Sequence, residues 1–333
     1  MKRFAGPVWA LMLIAGLIFA GCRKQDQADS GKIAVTFAGT EGATSGQSRM
    51  MQEVANTLNA TGRFDVKVYV AGALPGDTDS LVTQAKLGVN LVVPSDPGRL
   101  ASQFNIPDLN ILMAPYVLMD FKILEKLPET ALYRGWQSQL EEQGIVLIAD
   151  MFNGYRSFYT TTPVTGVSNL AGLRIRGFGN AIGQALAKHL GYVQTTVNAT
   201  DIYAEIQAKT LDGCEIQASA ADSYRLYEVT PYLAPTKHYM LQSSFVCGKA
   251  LLDSMPQADR ELFLKTIYDA AAKYSEIIAS EEQGYYDGFK AKGITITELT
   301  TAEFEAALAP LYANNELGLT PGLKDTLFQQ LGL

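Results

Sequence analysis

Between residues 32 and 95 the hydrophobic pattern switches repeatedly between the period of two expected of a strand and the 3.6 expected of a helix. "KIAVTFAGT" (32–40) reads as a strand ending in small residues. "SGQSRMMQEVANTLNATG" (45–62) is an amphipathic helix with Met50, Met51, Val54 and Leu58 facing inward and Gly62 as its stop. "FDVKVYVAG" (64–72) alternates apolar and polar, "DTDSLVTQAKLG" (77–88) is a short helix with an aspartate-rich start, and "VNLVVPS" (89–95) is a buried strand. A strand-helix-strand-helix-strand order constrains the chain to a parallel sheet covered by helices.

The remainder continues in this manner. "LNILMAPYVLMD" (109–120), interrupted by Pro115, suits a wall or turn; residues 127–144 read as a helix, and 145–152 and 154–161 as two strands. A strand at 172–176 precedes a helix at 180–190 closed by Gly191, then a strand and a helix capped by Thr200. "CEIQASAA" (214–221) is predicted as a strand, residues 221–233 as a short helix and 238–254 as a strand region. Ser254-Met255-Pro256 supplies a cap and an early proline before a long helix over 257–293. That helix would run roughly 50 Å, longer than one small domain, so it spans two lobes.

At 333 residues, 47% hydrophobic and 18% charged, the chain is globular and long enough for two domains. A net charge of −7 argues against sequence-independent binding to nucleic acid or to an anionic membrane surface. Lys2 and Arg3, an apolar run from Phe4 to Ala20, and Phe19-Ala20-Gly21-Cys22 resemble a bacterial lipoprotein signal. On that reading residues 1–21 are removed, Cys22 carries the lipid, and residues 22–31 form a polar tether; the alternative is an uncleaved transmembrane anchor. Either way the rest lies outside the cytoplasm. Cys214 and Cys247 could form one disulfide or remain two buried thiols. No CxxC occurs and the histidines are only His189 and His238, so a zinc site lacks ligands and no cofactor is implied.

Residues 150–191 hold Arg156, Arg174 and Arg176 with Asp150 as the sole acid. In "LRIRG", Leu173 and Ile175 face the core, so Arg174 and Arg176 point away from it. Arg176 ends its strand before Gly177-Phe178-Gly179 and a helix start, where open α/β sheets line a ligand crevice and unpaired N–H groups favour an anion. From spacing alone, pairing of Arg156 and Arg176 with structural acids such as Asp150, Asp201 or Glu215 is the favoured reading over a ligand contact.

The order strand-"LAGLRIRGFG"-helix-"LGYVQTTVNATDIYAEIQAKTLDGCE" resembles the core of the periplasmic solute-binding proteins of TRAP transporters (DctP-type). "NGYRSFYT", "AGALPGDTDSLVTQAKLGVNLVV", "LMAPYVLMD" and the long helix extend the resemblance over nearly all of residues 32–300. It implies a two-lobed α/β periplasmic-binding-protein fold, each lobe a mostly parallel sheet flanked by helices, with the long helix spanning both. Lobe I would comprise 32–152 with part of 240–333 returning to it, lobe II 153–239, and the connecting helix 257–293. The resemblance also implies a bidentate guanidinium clamp on a ligand carboxylate at Arg176, a second contact at Arg156 and a solvated Arg174. Where the family commonly carries an asparagine, this chain has Ile216, and Gln217 could replace it only by a register shift. Ile216, with Phe178, Tyr116, Met113 and the glycine-rich loop 39–46, points to an apolar tail on the ligand. Ser95 and Asp96 are further pocket candidates.

The expected function is therefore extracytoplasmic capture of an organic acid for a TRAP-type membrane permease, by a periplasmic protein held to a membrane only through its lipid anchor. Two alternatives are a surface lipoprotein acting through protein partners, such as a helical-repeat accessory component, and an extracellular enzyme. No GxSxG, HExxH or glycosidase-like carboxylate pair supports the last.

Overall fold

A computed structural model describes residues 31–333; the predicted signal segment, Cys22 and the tether through Ser30 lie outside these residues. The first five elements follow the predicted order: β1 (Ile33–Ala38), α1 (Gly46–Ala60), β2 (Phe64–Tyr69), α2 (Thr78–Lys86) and β3 (Leu91–Ser95). Hydroxyl and carboxylate caps start the helices, Ser45 accepting from the Ser48 amide at 3.1 Å and Asp77 from the Ser80 amide at 2.9 Å. α1 buries Met50, Met51, Val54 and Leu58, as its period requires. Asp96 caps α3 (Pro97–Phe104), which leads into 3-10 turns from Pro107 to Met113 and then α4 (Ala131–Glu142).

The second half departs from the sequence reading in instructive ways. The strands expected at 145–152 and 154–161 are one, β4 (Ile145–Thr160), whose register shifts between Phe152 and Tyr155. Gly154 takes that irregularity at φ 106°, a backbone conformation open mainly to glycine. β5 (Arg174–Arg176), α5 (Ala181–Leu190) and β6 (Val193–Thr195) follow, with Gly191 left-handed at the end of α5. Thr200 does not cap the next helix. It sits in a 3-10 turn, and α6 (Ile202–Gln207) starts without a side-chain cap. β7 (Gly213–Gln217) stops four residues before the predicted end, because Ala218-Ser219-Ala220-Ala221 open α7 (Ala218–Ser223). Run together, the small residues are good helix formers with no β-branch among them.

β8 (Tyr232–Gly248) is one residue longer than β4, and α8 (Lys249–Asp253) follows it. Ser254 closes α8 rather than capping the next helix, and Pro256 alone precedes α9 (Gln257–Ala291), 35 residues long. β9 (Thr295–Ile296), α10 (Thr301–Ala313) and α11 (Leu323–Leu331) complete the chain.

The strands form one sheet in the order β2-β1-β3-β8-β4-β7-β5-β6, with β9 beside β8. It is a mixed α/β sheet: β2-β1-β3 and β7-β5-β6 are parallel sets, joined by the antiparallel pair β4 and β8. Ser95, the last residue of β3, sits opposite Ser244, which is opposite Asp150 of β4. Gln217, the last residue of β7, sits opposite Arg156 of β4. The carboxyl ends of the two parallel sets thus point at each other across residues 151–155. The main core includes Phe37, Val92, Leu147, Phe245 and Phe263, and a smaller one gathers Tyr159, Ile202, Cys214, Leu233 and Phe289. Both cysteines are buried and free, their thiols pushed up to about 12 by burial, so the disulfide alternative is set aside.

Candidate functional site

The facing strand ends enclose a cleft. Its outer part, about 940 Å³, is lined by Thr78, Asp79, Arg99, Arg176, Asn180 and Thr200 among others. It narrows to an inner chamber of about 60 Å³ walled by Glu41, Ser95, Asp96, Asn153, Arg156, Arg176, Phe178, Ile216 and Gln217. Thr40, Thr78, Arg99, Arg176 and Ala199 border both. Segments after the carboxyl ends of β2 and β6 supply most of the outer wall, and those of β1, β3, β5 and β7 contribute to the inner chamber, which is where parallel sheets present ligands.

Arg176 closes β5 and is 4% exposed. Its Nε donates to the Val197 carbonyl at 3.2 Å, and among the described residues no carboxylate lies within ion-pairing distance of its guanidinium. Burial, then the neighbouring Arg156 charge, push its pKa down to about 10 against the pull of Glu215. A buried cation in this state is stabilised by whatever anion enters. The chain beyond it is fixed by close contact: Asn180 Oδ1 caps α5 through the Gly183 amide at 3.0 Å. A Cβ on Gly183 would meet the Phe178 carbonyl oxygen at 2.0 Å, so only glycine lets the helix start sit against that loop.

Arg156 is 1% exposed and differently placed. Its Nε donates to Glu215 Oε2 at 2.5 Å, its Nη1 to Gln217 Oε1 at 3.2 Å, and its Nη2 to the Glu215 carbonyl. The acid pairing that spacing allowed for both arginines therefore holds for Arg156, with Glu215, and not for Arg176. Three of five guanidinium N–H groups are engaged, leaving two for the chamber. Burial tends to raise the Glu215 carboxyl, but the Arg156 charge and His238 overcome it and hold it down at about 2. His238 sits 3.5 Å from that carboxylate and bonds Thr236 at 2.8 Å; burial lowers its pKa, leaving it neutral at pH 7.

Phe178 carries the guanidinium carbons of Arg156, Arg99 and Arg176 at 4.3, 5.0 and 5.5 Å from its ring centre. An aromatic face among three cations spaces them without neutralising them. Arg99 is itself paired, its Nε 2.9 Å from Asp96. Ser95 lies in the wall with its hydroxyl unpartnered, and Ile216 is a buried part of the same wall. Arg174 stays out of the cleft, bound through two nitrogens to Asp212 at 2.7 and 2.8 Å.

Two expectations change. Tyr116 lies elsewhere: it lines a separate groove with Pro115, Tyr312 and Leu319, and its hydroxyl donates to the Thr236 carbonyl at 3.1 Å. Met113 is core, so neither residue supplies an apolar wall to the cleft. Gln217 reaches the chamber with no register shift, because β7 ends there and the backbone turns into α7.

Sequence reasoning missed Glu41, Asn153 and Arg99. Glu41 is 7% exposed; its Oε1 accepts from Asn153 Nδ2 and from Gln217 Nε2, both at 2.7 Å. Burial raises its pKa against these bonds, the nearby Ser45 hydroxyl and the Arg156 charge. A lone acid inside a glycine-rich loop at a strand's carboxyl end was the available signal. Among the described residues no group of three or more His, Cys, Asp or Glu side chains could hold a metal, and no helix is long and apolar enough to cross a membrane.

The chain is similar to known proteins over most of its length. The sialic acid-binding periplasmic protein SiaP of Vibrio cholerae is 23% identical over 261 residues, covering 78% of this chain and 81% of that protein. The C4-dicarboxylate-binding periplasmic protein DctP of Rhodobacter capsulatus is 26% identical over 249 residues, 74% and 73% of the two chains. A TRAP periplasmic solute-binding protein of Actinobacillus succinogenes, solved with bound L-galactonate, superposes with a TM-score of 0.85 at 23% identity, covering 90% of this chain and 99% of that one. The family model for bacterial extracellular solute-binding protein, family 7 (DctP), matches residues 37–317. This chain belongs to that family and is a periplasmic solute-binding protein of the TRAP-transporter type.

Proposed function

We propose that the cleft captures a small organic acid by its carboxylate, that Arg176 is the clamp, and that the loaded protein hands its cargo to a TRAP-type permease. The family is one of substrate-binding transport proteins, not enzymes. The observation that carries the clamp is the buried, acid-free guanidinium of Arg176 at the junction of the inner and outer cleft. The names of its relatives support the ligand class, since sialic acid, C4-dicarboxylates and L-galactonate all bear a carboxylate.

Arg156 acts as a second, partly engaged donor, with Ser95 offering a hydroxyl and Phe178 and Ile216 shaping the wall. The cleft closes between lobe I (32–152 with part of 240–333) and lobe II (153–239), α9 running behind both. Cys22 carries the lipid anchor that keeps the protein beside its membrane partner. Charge-assisted hydrogen bonds contribute about 1.5–3 kcal/mol each, so two to four of them with modest burial reach the ~8 kcal/mol of micromolar binding.

The test is calorimetry on the purified protein with a panel of small organic acids: sugar acids, hydroxy acids, dicarboxylates and amino acids. A binder should be found, and Arg176→Ala should lose it by a hundredfold or more, about 2.7 kcal/mol. Unchanged affinity in that variant would remove Arg176 from the role.

A further inference from the structure

Resting on the carboxylate reading above, the charges around the inner chamber can be balanced one by one. Arg99 is paired with Asp96, and Arg156 with Glu215. Two groups remain. Arg176 is a buried base without an acid. Glu41 is a buried acid without a base: among the described residues no Lys, Arg or His nitrogen lies within ion-pairing distance of it. Asn153 and Gln217 both donate to Oε1, the Ser45 hydroxyl stands nearby, and Oε2 has no partner in hydrogen-bond geometry. The amide orientations are set by these bonds, because each NH₂ must face the carboxylate; the Asn153 carbonyl oxygen is thereby left as another unpartnered acceptor in the same wall. Gln242 repeats the pattern, its Nε2 donating to the Leu112 carbonyl at 2.8 Å and its Oε1 unpartnered. One part of the wall thus offers unpaired donors and another offers unpaired acceptors. Tyr224 lines the same chamber, its hydroxyl donating to the Thr40 carbonyl at 2.8 Å.

We infer that the cargo is zwitterionic: a carboxylate held by Arg176 and a protonated nitrogen, with N–H groups to donate, held by Glu41 with the carbonyl oxygens of Asn153 and Gln242. A plain monocarboxylate leaves Glu41 buried and uncompensated. A dicarboxylate is worse, since it sets a like charge in the chamber with Glu41. A hydroxyl satisfies an acceptor but not a buried charge, and a buried charge without a counter-charge is the more costly of the two.

Calorimetry on the mature protein tests this with matched acids of two to six carbons that carry an ammonium, a hydroxyl or a hydrogen at the same carbon. In at least one series the ammonium acid should bind about tenfold or more tightly than its hydroxyl counterpart. Glu41→Gln, which keeps the shape of the side chain, should erase that preference, and a wild-type-like circular dichroism spectrum with a cooperative thermal transition is the control that the variant is folded. Glu41→Asp should retain part of it. Hydroxy acids binding as well as their ammonium partners in every series overturns the inference while leaving the carboxylate clamp intact, as does a preference that survives in Glu41→Gln. If wild type binds none of these acids yet binds dicarboxylates, the inference is likewise overturned. If it binds no carboxylate at all, the underlying reading falls with it.

Discussion

Arg156 and Arg176 sit on neighbouring stretches of wall, both buried, and physical chemistry assigns them opposite consequences. Removing Arg156 or its acid strands a buried charge. Glu215→Gln should destabilise the protein by about 3–5 kcal/mol at neutral pH, measured by urea unfolding. Because the Glu215 carboxyl is held down at about 2, its contribution is fully present above its ordinary value of 4.5 and is lost as pH falls from there towards 2. The stability gap between wild type and Glu215→Gln should therefore close over that window; a gap constant down to pH 2 would show that the ion pair contributes nothing. Arg176 carries the reverse expectation. Its charge is buried without a partner, so Arg176→Gln should raise the stability of the empty protein by about 1–3 kcal/mol while abolishing binding. A melting temperature below wild type would contradict that cost.

At the scale of elements, β4 is where the sequence and the structure part most. Residues 145–152 and 154–161 were legible as strands, but as two, with Asn153 left between them. In the molecule that gap is an irregularity inside one. Periodicity is local, whereas the partner that carries β4 through the break, β8, lies some eighty residues further on, and nothing in the pattern names it. Arg176 and Ser95 were readable as wall because strand ends mark the crevice, and Phe178 and Ile216 through the family resemblance. Glu41 and Asn153 were not, since an isolated polar residue in a loop has no period, and Tyr116 was misplaced because an apolar run does not say which cavity it faces. Gly154 binds the two levels together: at φ 106°, its added Cβ would also lie 3.1 Å from Gln217, which bonds both Arg156 and Glu41. Gly154→Ala should cost about 1–3 kcal/mol of stability and weaken ligand binding in the same variant. Loss of stability with affinity intact would separate the irregularity from the site.

Across the whole molecule, hydrogen bonds bridge the cleft in this structure. Tyr224 donates to the Thr40 carbonyl at 2.8 Å, and Gln217 to Glu41, tying α7 and β7 to the loop after β1. α9 packs along α1, β4 and α7, with Arg49 paired to Glu281 and Lys273 to Glu53. Closure of the proposed lobes would make and break the first set while the second persists. Tyr224→Phe should thus lower affinity by about 1 kcal/mol, chiefly through faster dissociation, and stopped-flow kinetics would show it. An unchanged dissociation rate would mean that this bridge does not hold the ligand in.

Cys214 and Cys247 lend the molecule a practical property. With both thiols enclosed and reluctant to ionise, maleimide dyes have nothing to attack among the described residues. A single cysteine placed at the rim, for instance Thr200→Cys near Gly72, would take one fluorophore at one address. The protein would then report its own cargo as a change in colour or brightness, an optical sensor built on two silent sulfurs.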